Sequence, residues 1–432
     1  MAAQLTLNAL CFVVEMLPMG TNLGMLRLLW AMLNGSFLRS RGAIHPALSE
    51  SGFTEEEVQH SWSAFRYGSW KIEELLGWWH TFVLSKNEWK ERRYSGYKVL
   101  SIDLTGFWRP RLSNWEGTHY NSMAGKALPA VVFGVMVLSG DVRGNRIPLI
   151  EAIERCEAEE SESEIRIRLL KKAQERPESE SEVKAVDAGF YLSEIHEAKT
   201  KNYVVRGAKN CTGRRNELPE YKGGRPAQYG AIVRPLARKR KGNTIAATPP
   251  DKQSEFLFDG RDVKGHSWSD LVTYTTKVAD DGSTFSIHVY FDPAYKNPLV
   301  LITDLDISPE DAYLIYKDRW PVEQTPLAAK QMLGLHRQFV SAEESCYRLP
   351  EIAMLAGNIL TYVAAVSPPI PTGFWDRNPQ STPGRLRRYL AQLDFPKLTL
   401  LPEAIRKKNS VHQHLPKGVL AHRRQKANTV TP

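Results

Sequence analysis

The feature that most restricts how this chain can fold is the run Pro129-Ala-Val-Val-Phe-Gly-Val-Met-Val-Leu138. It is far short of the roughly 20 residues a membrane-spanning helix needs, and its β-branched content favours extended backbone. Such a run reads as a strand buried on both faces, inside a sheet that other layers cover. A shorter strand, Lys98-Val-Leu-Ser-Ile-Asp-Leu-Thr105, precedes it, and residues 114–125 between them read as a turn or an edge strand.

Strands and helices then alternate. Residues 151–182 are charge-dense and read as helical in their first part, until Pro177 interrupts and Glu178 to Glu182 follow as a solvated helix end and loop. Residues 183–187 read as a strand ending on Asp187, residues 190–198 as a helix, and residues 202–206 as another strand. Residues 299–303 form a further buried strand, and Ser308-Pro309 opens a helix with Ser as N-cap and Pro at the first position. This is the pattern of an α/β protein, a mixed sheet flanked by helices.

At 432 residues the chain holds more than one unit. Residues 1–95 read as a helical N-terminal domain, with Thr54 and three following glutamates opening one helix and Trp62, Phe65, Trp70, Trp78 and Trp79 packing a small bundle. Residues 96–206 and 299–365 read as two parts of one core, residues 207–298 as a β-rich insertion, and residues 366–432 as a basic C-terminal region.

Four dispersed cysteines offer neither a metal-binding pair nor a disulfide framework, which fits a reducing cytoplasm. The apolar run 5–17 contains Glu15 and lacks a basic leader, so neither targeting nor membrane insertion is expected. A P-loop is excluded at Gly125-Lys126 because Ala127 follows and Tyr120 stands where the first glycine belongs, and no G-x-S-x-G nucleophile turn occurs.

The chemistry concentrates after Ser308. Tyr316, Arg319, Glu323 and Lys330 form a Y-x2-R-x3-E-x6-K pattern, whose offsets project within a stripe about 60° wide on a straight helix. A phenol, a guanidinium, a carboxylate and an ammonium on one face suit a phosphodiester, the carboxylate holding a metal and the cations contacting phosphates. Pro321 and Pro326 flank Glu323, however, and Thr325-Pro326 is placed to start a second helix, leaving Glu323 at a kink or junction.

With Trp320 and Val322 inside it, as Tyr-Lys-Asp-Arg-Trp-Pro-Val-Glu, the pattern resembles the signature of bacterial DDE transposases of the insertion-sequence-four superfamily. The resemblance covers about residues 95–365 and implies a ribonuclease H-like catalytic domain with a β-rich insertion. It implies a first aspartate on the first strand, matched by Asp103; a second after the fourth strand, matched by Asp187; and a glutamate on a late helix, matched by Glu323. These three carboxylates are expected to hold two Mg²⁺ ions, with Mn²⁺ able to substitute, and Tyr316, Arg319 and Lys330 to hold a strand end. The implied activity is cut-and-paste transposition through a hairpin intermediate. A host nuclease of the same fold and a domesticated DNA-binding protein that no longer cuts are the alternatives.

The net charge of +9 agrees with a polyanionic partner, here double-stranded DNA as terminal inverted repeats and target. Twelve Lys and Arg against three acids follow Pro371, and Arg385, Arg387 and Arg388 there are expected to grip DNA backbone. In the insertion, the run Arg238, Lys239, Arg240 and Lys241 is a candidate phosphate contact and Trp268 a candidate stacking platform. The remaining expectations are a homodimer in the synaptic complex, no membrane, and a nucleoid-associated place in a bacterial cytoplasm.

Overall fold

A computed structural model of the chain describes residues 1–113, 115–157, 159–221, 223–240, 242–277 and 283–406. They form two compact units, a sheet unit of Glu88–Leu327 and a helical unit of Met1–Asn87 with the chain from Ala328 onward.

In the helical unit, α1 (Ala2–Val14), α2 (Thr21–Leu33), α3 (Ser36–Arg39), α4 (Ile44–Glu50), α5 (Glu55–Tyr67) and α6 (Ile72–Ser85) come first. Thr54 and Glu57 close a reciprocal capping box at the start of α5, satisfying backbone donors that the first turn leaves free. Trp79 is fully buried, lies nearly parallel to Phe82, and donates its indole N–H to Asn358 at 2.7 Å, so this aromatic stretch is core.

In the sheet unit the strands are β1 (Lys90–Glu91), β2 (Arg93–Tyr94), β3 (Tyr97–Trp108), β4 (Thr118–Asn121), β5 (Lys126–Val142) and β6 (Asn145–Arg155), followed by α7 (Glu162–Gln174). Next come β7 (Glu182–Val186), α8 (Leu192–Glu197), β8 (Tyr203–Arg206), β9 (Gly213–Arg215), β10 (Ile232–Val233), β11 (Arg238–Arg240) and β12 (Asn243–Ile245). The unit ends with β13 (Lys252–Phe258), β14 (Arg261–Thr273), β15 (Phe285–Phe291), β16 (Leu299–Thr303), α9 (Pro309–Lys317) and α10 (Pro321–Leu327). The helical unit resumes with α11 (Glu343–Val366), α12 (Pro383–Leu390) and α13 (Glu403–Arg406).

The long apolar strand is β5, paired on one side with β3 and on the other with β6, both antiparallel. β3 pairs parallel with β7, and β7 parallel with β8, making the sheet mixed. The alternation of side chains decides which layer each residue meets. Val99, Val183, Ala185, Val204 and Leu301 share one face with Tyr313 and Ile315 of α9. Gly134 of β5 meets Leu169 of α7, and no larger residue would fit beneath that helix.

Four sequence-based boundaries shift. Residues 151–155 end β6 rather than starting a helix, and that helix begins after Ser161, whose capping box with Glu164 fixes it. Glu182 is not solvated: it is fully buried at the head of β7 and paired with Arg176 at 3.0 Å. The β-rich insertion does not stand apart, because β15 pairs with β16 and so extends the main sheet through β14 and β13. Finally, β1 and β2 bring the sheet unit's start forward to Glu88, and the chain from Ala328 groups with the N-terminal helices, not with the sheet. The reason is α11, apolar on nearly every side and packed against α1, α2, α5, α6 and α12. It is also the one described helix long and apolar enough to cross a membrane, and 89% of its apolar window is buried within the protein.

Gly134→Ala places a methyl group 2.4 Å from a Leu169 carbon and is expected to cost about 1–3 kcal/mol, as overpacking of a filled core does. Denaturant unfolding measures it, and a midpoint equal to that of the unsubstituted protein would refute the packing described.

Candidate active site

The two aspartates are neighbours because of strand register. Ser101 of β3 is paired with Ala185 of β7 in parallel, so two residues further along each chain Asp103 and Asp187 reach the same sheet face at adjacent positions. β7 ends at Val186, leaving Asp187 just beyond the strand, where its side chain is free of the ladder.

The third carboxylate comes from the segment after β16. Ser308 caps α9 by accepting from the Asp311 N–H, with Pro309 in the first turn. This helix runs to Lys317, and a turn over residues 318–320 leads into α10, which starts at Pro321 and carries Glu323 in its first turn. The junction expected at Glu323 is present, but Pro321 starts the second helix, not Pro326; a proline at a helix start forfeits no hydrogen bond. Pro326 falls inside α10, and the chain widens immediately after it into a π-turn, Ala328–Met332.

Arg319 draws the cluster together. Its guanidinium lies 2.5 Å from Glu323 Oε1, 3.9 Å from Asp187 Oδ2 and 3.8 Å from Asp103 Oδ2. The Tyr316 hydroxyl donates to Asp187 Oδ1 at 2.9 Å, and Arg206 from the end of β8 approaches the same oxygen at 3.6 Å. The carboxylate side chains are about a third exposed while that of Arg319 is only 7% exposed, so acidic oxygens face solvent over a buried cation. Buried Nε and Nη1 of Arg319 have no hydrogen-bond partner.

The environments push the titrating groups apart. Burial raises the Asp103 carboxyl to about 6, outweighing the pull of Arg319 and the Leu104 N–H. Asp187 also feels desolvation, but Arg319, the Ala188 N–H, the Tyr316 hydroxyl and Arg206 together hold it below the ordinary carboxylate value. Burial likewise raises the Tyr316 phenol to about 12, leaving it a donor at neutral pH.

One residue that sequence reasoning passed over fixes this geometry. Asp318 is fully buried, accepts from Arg92 Nε at 2.6 Å and from the Tyr94 hydroxyl at 2.6 Å, and is paired with Arg146 at 2.8 Å. Ser139 of β5 donates to its backbone carbonyl at 2.5 Å. The turn that aims Arg319 is thus tied to three strands' edges. Arg206 was missed too; its place at the end of a strand next to the one bearing Asp187 is the signal that could have found it.

The remaining expected residues have other settings. Lys330 is on the π-turn and belongs to the helical unit, packed with that turn against α11. Trp268 is 1% exposed and donates its indole N–H to Pro249 at 2.8 Å, so burial removes it as a stacking platform. The basic run is one strand of a two-stranded ribbon rather than an irregular loop: Arg238 bonds the Asn210 carbonyl, Lys239 is exposed, Arg240 pairs with Asn243, and Lys241 lies outside the described residues. Arg385 is engaged by Asp376 and the Ile370 carbonyl, and Arg387 bonds the Met332 carbonyl, which turns both inward as struts. Arg388 is exposed.

The raised Asp103 value has a sign that can be tested. The folded protein holds this proton more tightly than the unfolded chain, so ionising it costs stability; the cost is absent well below pH 3.8 and complete above about 6. Asp103→Asn should therefore stabilise the metal-free protein by about 1–2 kcal/mol at neutral pH and lose that advantage near pH 4. Thermal melts of both proteins across that range decide it; an advantage independent of pH would place its origin elsewhere.

No protein-family model matches the chain, and no curated protein matches it either, so a function has to be argued from this geometry.

Proposed function

We propose that this protein is a DNA transposase with a ribonuclease H-like catalytic core, cutting DNA at the ends of a mobile element and joining it to a target. The observation that carries the reading is the convergence of Asp103, Asp187 and Glu323 on one buried guanidinium. Its support in the fold is the chain order. Asp103 stands on β3, Asp187 follows β7 and Glu323 comes from a late helix; with the two- to four-residue strands β1, β2 and β4 set aside, β3 and β7 are the first and fourth strands, the order that the resemblance in sequence implies.

The donor set suits a hard divalent cation, being all carboxylate oxygen. Among the described residues no group of three or more His, Cys, Asp or Glu is disposed to hold a metal ion as it stands; the three carboxylates are drawn onto Arg319 instead. Asp103, Asp187 and Glu323 are the residues that would hold two Mg²⁺, or Mn²⁺ in their place. When bound, such ions supply activation of the attacking oxygen and charge stabilisation at the leaving one.

The other groups have roles that follow from their contacts. Arg319 sets a fixed positive charge beneath the three carboxylates, which suits the approach of a phosphate. Tyr316 fixes the orientation of Asp187 through its hydroxyl, and Arg206 adds positive charge on the same side. In the proposed reaction water breaks the bond between phosphorus and a 3′-oxygen at the element end. The freed 3′-hydroxyl then attacks a phosphodiester of the opposite strand, forming the hairpin bond and releasing the 3′-hydroxyl of the flanking DNA; a second water hydrolyses the hairpin to restore the element's 3′-hydroxyl, which attacks a target phosphodiester and displaces a target 3′-oxygen. Two copies of the chain would hold the paired ends, and the bacterial nucleoid would be the place of action.

Asp103→Ala, Asp187→Ala and Glu323→Ala are each expected to abolish Mg²⁺-dependent cleavage of element ends while leaving DNA binding nearly intact, because phosphate contacts outside the site dominate affinity. Cleavage surviving in any one of them removes that residue from the set. Because Arg319 touches all three carboxylates, Arg319→Ala should slow the first nick as well as later joining, by about 10²–10³. A time course on a labelled DNA end, resolved on a denaturing gel, separates the steps; normal nicking in this variant would confine Arg319 to strand transfer.

A further inference from the structure

The loop between α11 and α12 presents two aromatic side chains to solvent. Phe374 is 100% exposed and Trp375 66% exposed, with ring centroids 5.0 Å apart and edge to face. An isolated exposed aromatic needs no explanation, but a pair held out by a built support does. The Asp376 carboxylate accepts from the Thr372 N–H at 3.0 Å, the Thr372 hydroxyl at 3.1 Å and the Asn378 N–H at 3.3 Å, and is paired with Arg385 at 2.8 Å. Arg385 also donates to the Ile370 carbonyl, and Ile370 pairs with Gln380 across the loop's base. Gly373 completes the support, since a side chain there would come within 2.5 Å of the Trp375 ring. Polar groups of the loop are thus spent on holding its shape, while the two rings at its tip remain unburied.

We propose that the Phe374–Trp375 tip is a wedge that stacks against bases of duplex DNA, opening a base step while the surrounding cations hold the backbone. Two observations choose this occupant. The tip is two residues long, flanked in the chain by the polar Thr372, Asp376, Arg377 and Asn378, so it offers a point to insert rather than the broad apolar centre of a protein interface. A cation follows it in the chain, since Arg377 is exposed two residues after Trp375, and Arg388 of α12 and Lys397 are exposed as well. Exposed rings beside cations match a polyanion with stacked faces, and apolar wedges between base steps are a general means of kinking a duplex. The identity of the partner rests on the proposed reaction on DNA; the wedge itself does not depend on the carboxylate site.

Inserting a ring costs the unstacking of a base step, so a duplex already weakened at one position should bind better. The full chain is titrated with a short mixed-sequence duplex and with the same duplex carrying one mismatched pair. Expected is about a threefold to tenfold preference for the mismatched duplex, lost in a Phe374→Ser, Trp375→Ser double variant and kept when the pair is changed to Phe374→Tyr, Trp375→Phe. The double variant should keep its melting temperature, because both side chains are exposed, and its salt dependence, because stacking releases no counterions. An Arg377→Ala, Arg388→Ala variant should do the reverse, flattening the salt dependence and keeping the preference. Absence of the preference in the unsubstituted protein, or its survival in the serine variant, overturns the wedge. So does loss of self-association without DNA in the serine variant with the preference intact, since the tip would then be a contact between copies. Failure to bind either duplex overturns the wedge together with DNA as partner, whereas a retained preference in a protein that never cleaves DNA sinks the proposed reaction alone.

Discussion

Ser101 stands opposite Ala185 in the parallel ladder between β3 and β7, and a slip of one residue would turn Asp103 or Asp187 to the other face of the sheet. The register is held by what lies on each face. Val99, Val183 and Ala185 are buried with Tyr313 and Ile315 of α9, so the apolar layer that packs this helix also selects where the carboxylates emerge. Packing and chemistry are therefore set by one pattern of alternation. Asp103 interrupts the buried run in the middle of β3, Asp187 stands just past the end of β7, and the helix that covers the face delivers Tyr316 to Asp187.

Asp318 and Arg319 extend the same economy to a single turn. These neighbours have opposite charges and point to different partners, Asp318 to Arg92, Tyr94 and Arg146, Arg319 to the three carboxylates. Taking each out of water is unfavourable by several kcal/mol unless partners compensate, and one uncompensated half costs about 3–5 kcal/mol. Asp318 is compensated from three sides. Arg319 is compensated electrostatically but not in hydrogen bonds, since its Nε and Nη1 remain unmatched. Asp318 Oδ1 likewise lacks a hydrogen bond and is met by the Arg146 charge, so the two neighbours differ in their partners: Asp318 ties the turn to the strands and Arg319 faces the carboxylates.

Much of this arrangement was legible in the sequence because it rests on local signals. Short apolar, β-branched runs mark β3, β5, β7 and β16, the Ser308-Pro309 pair marks the start of α9, and the spacing from Tyr316 to Glu323 survives in the structure as a shared cluster. What was not legible depends on partners distant in sequence. Glu182 looks like one more solvated acid until Arg176 is seen beside it, and Asp318 looks like a helix-end acid until strands more than 170 residues earlier are folded around it. Trp268 has the composition of a stacking residue, yet its burial is decided by the sheet that β15 and β16 complete. Arg385 and Arg387 carry charge suited to a phosphate, but backbone carbonyls and Asp376 reached them first.

The prolines explain why the four-residue pattern does not behave as one helical stripe. On an unbroken helix Tyr316, Arg319, Glu323 and Lys330 would share a face, but the chain turns at residues 318–320, restarts at Pro321 and widens after Pro326. Each interruption has a separate effect. The turn lets Asp318 and Arg319 diverge; the restart at Pro321 sets Glu323 in a first helical turn, where its backbone N–H bonds the Trp320 carbonyl and its side chain meets Arg319. The π-turn follows Pro326, which has no N–H to donate to the helix, and carries the chain into the helical unit. Regular spacing in sequence thus records the chemistry required of these side chains, while the irregular backbone between them is what lets three of them reach one point.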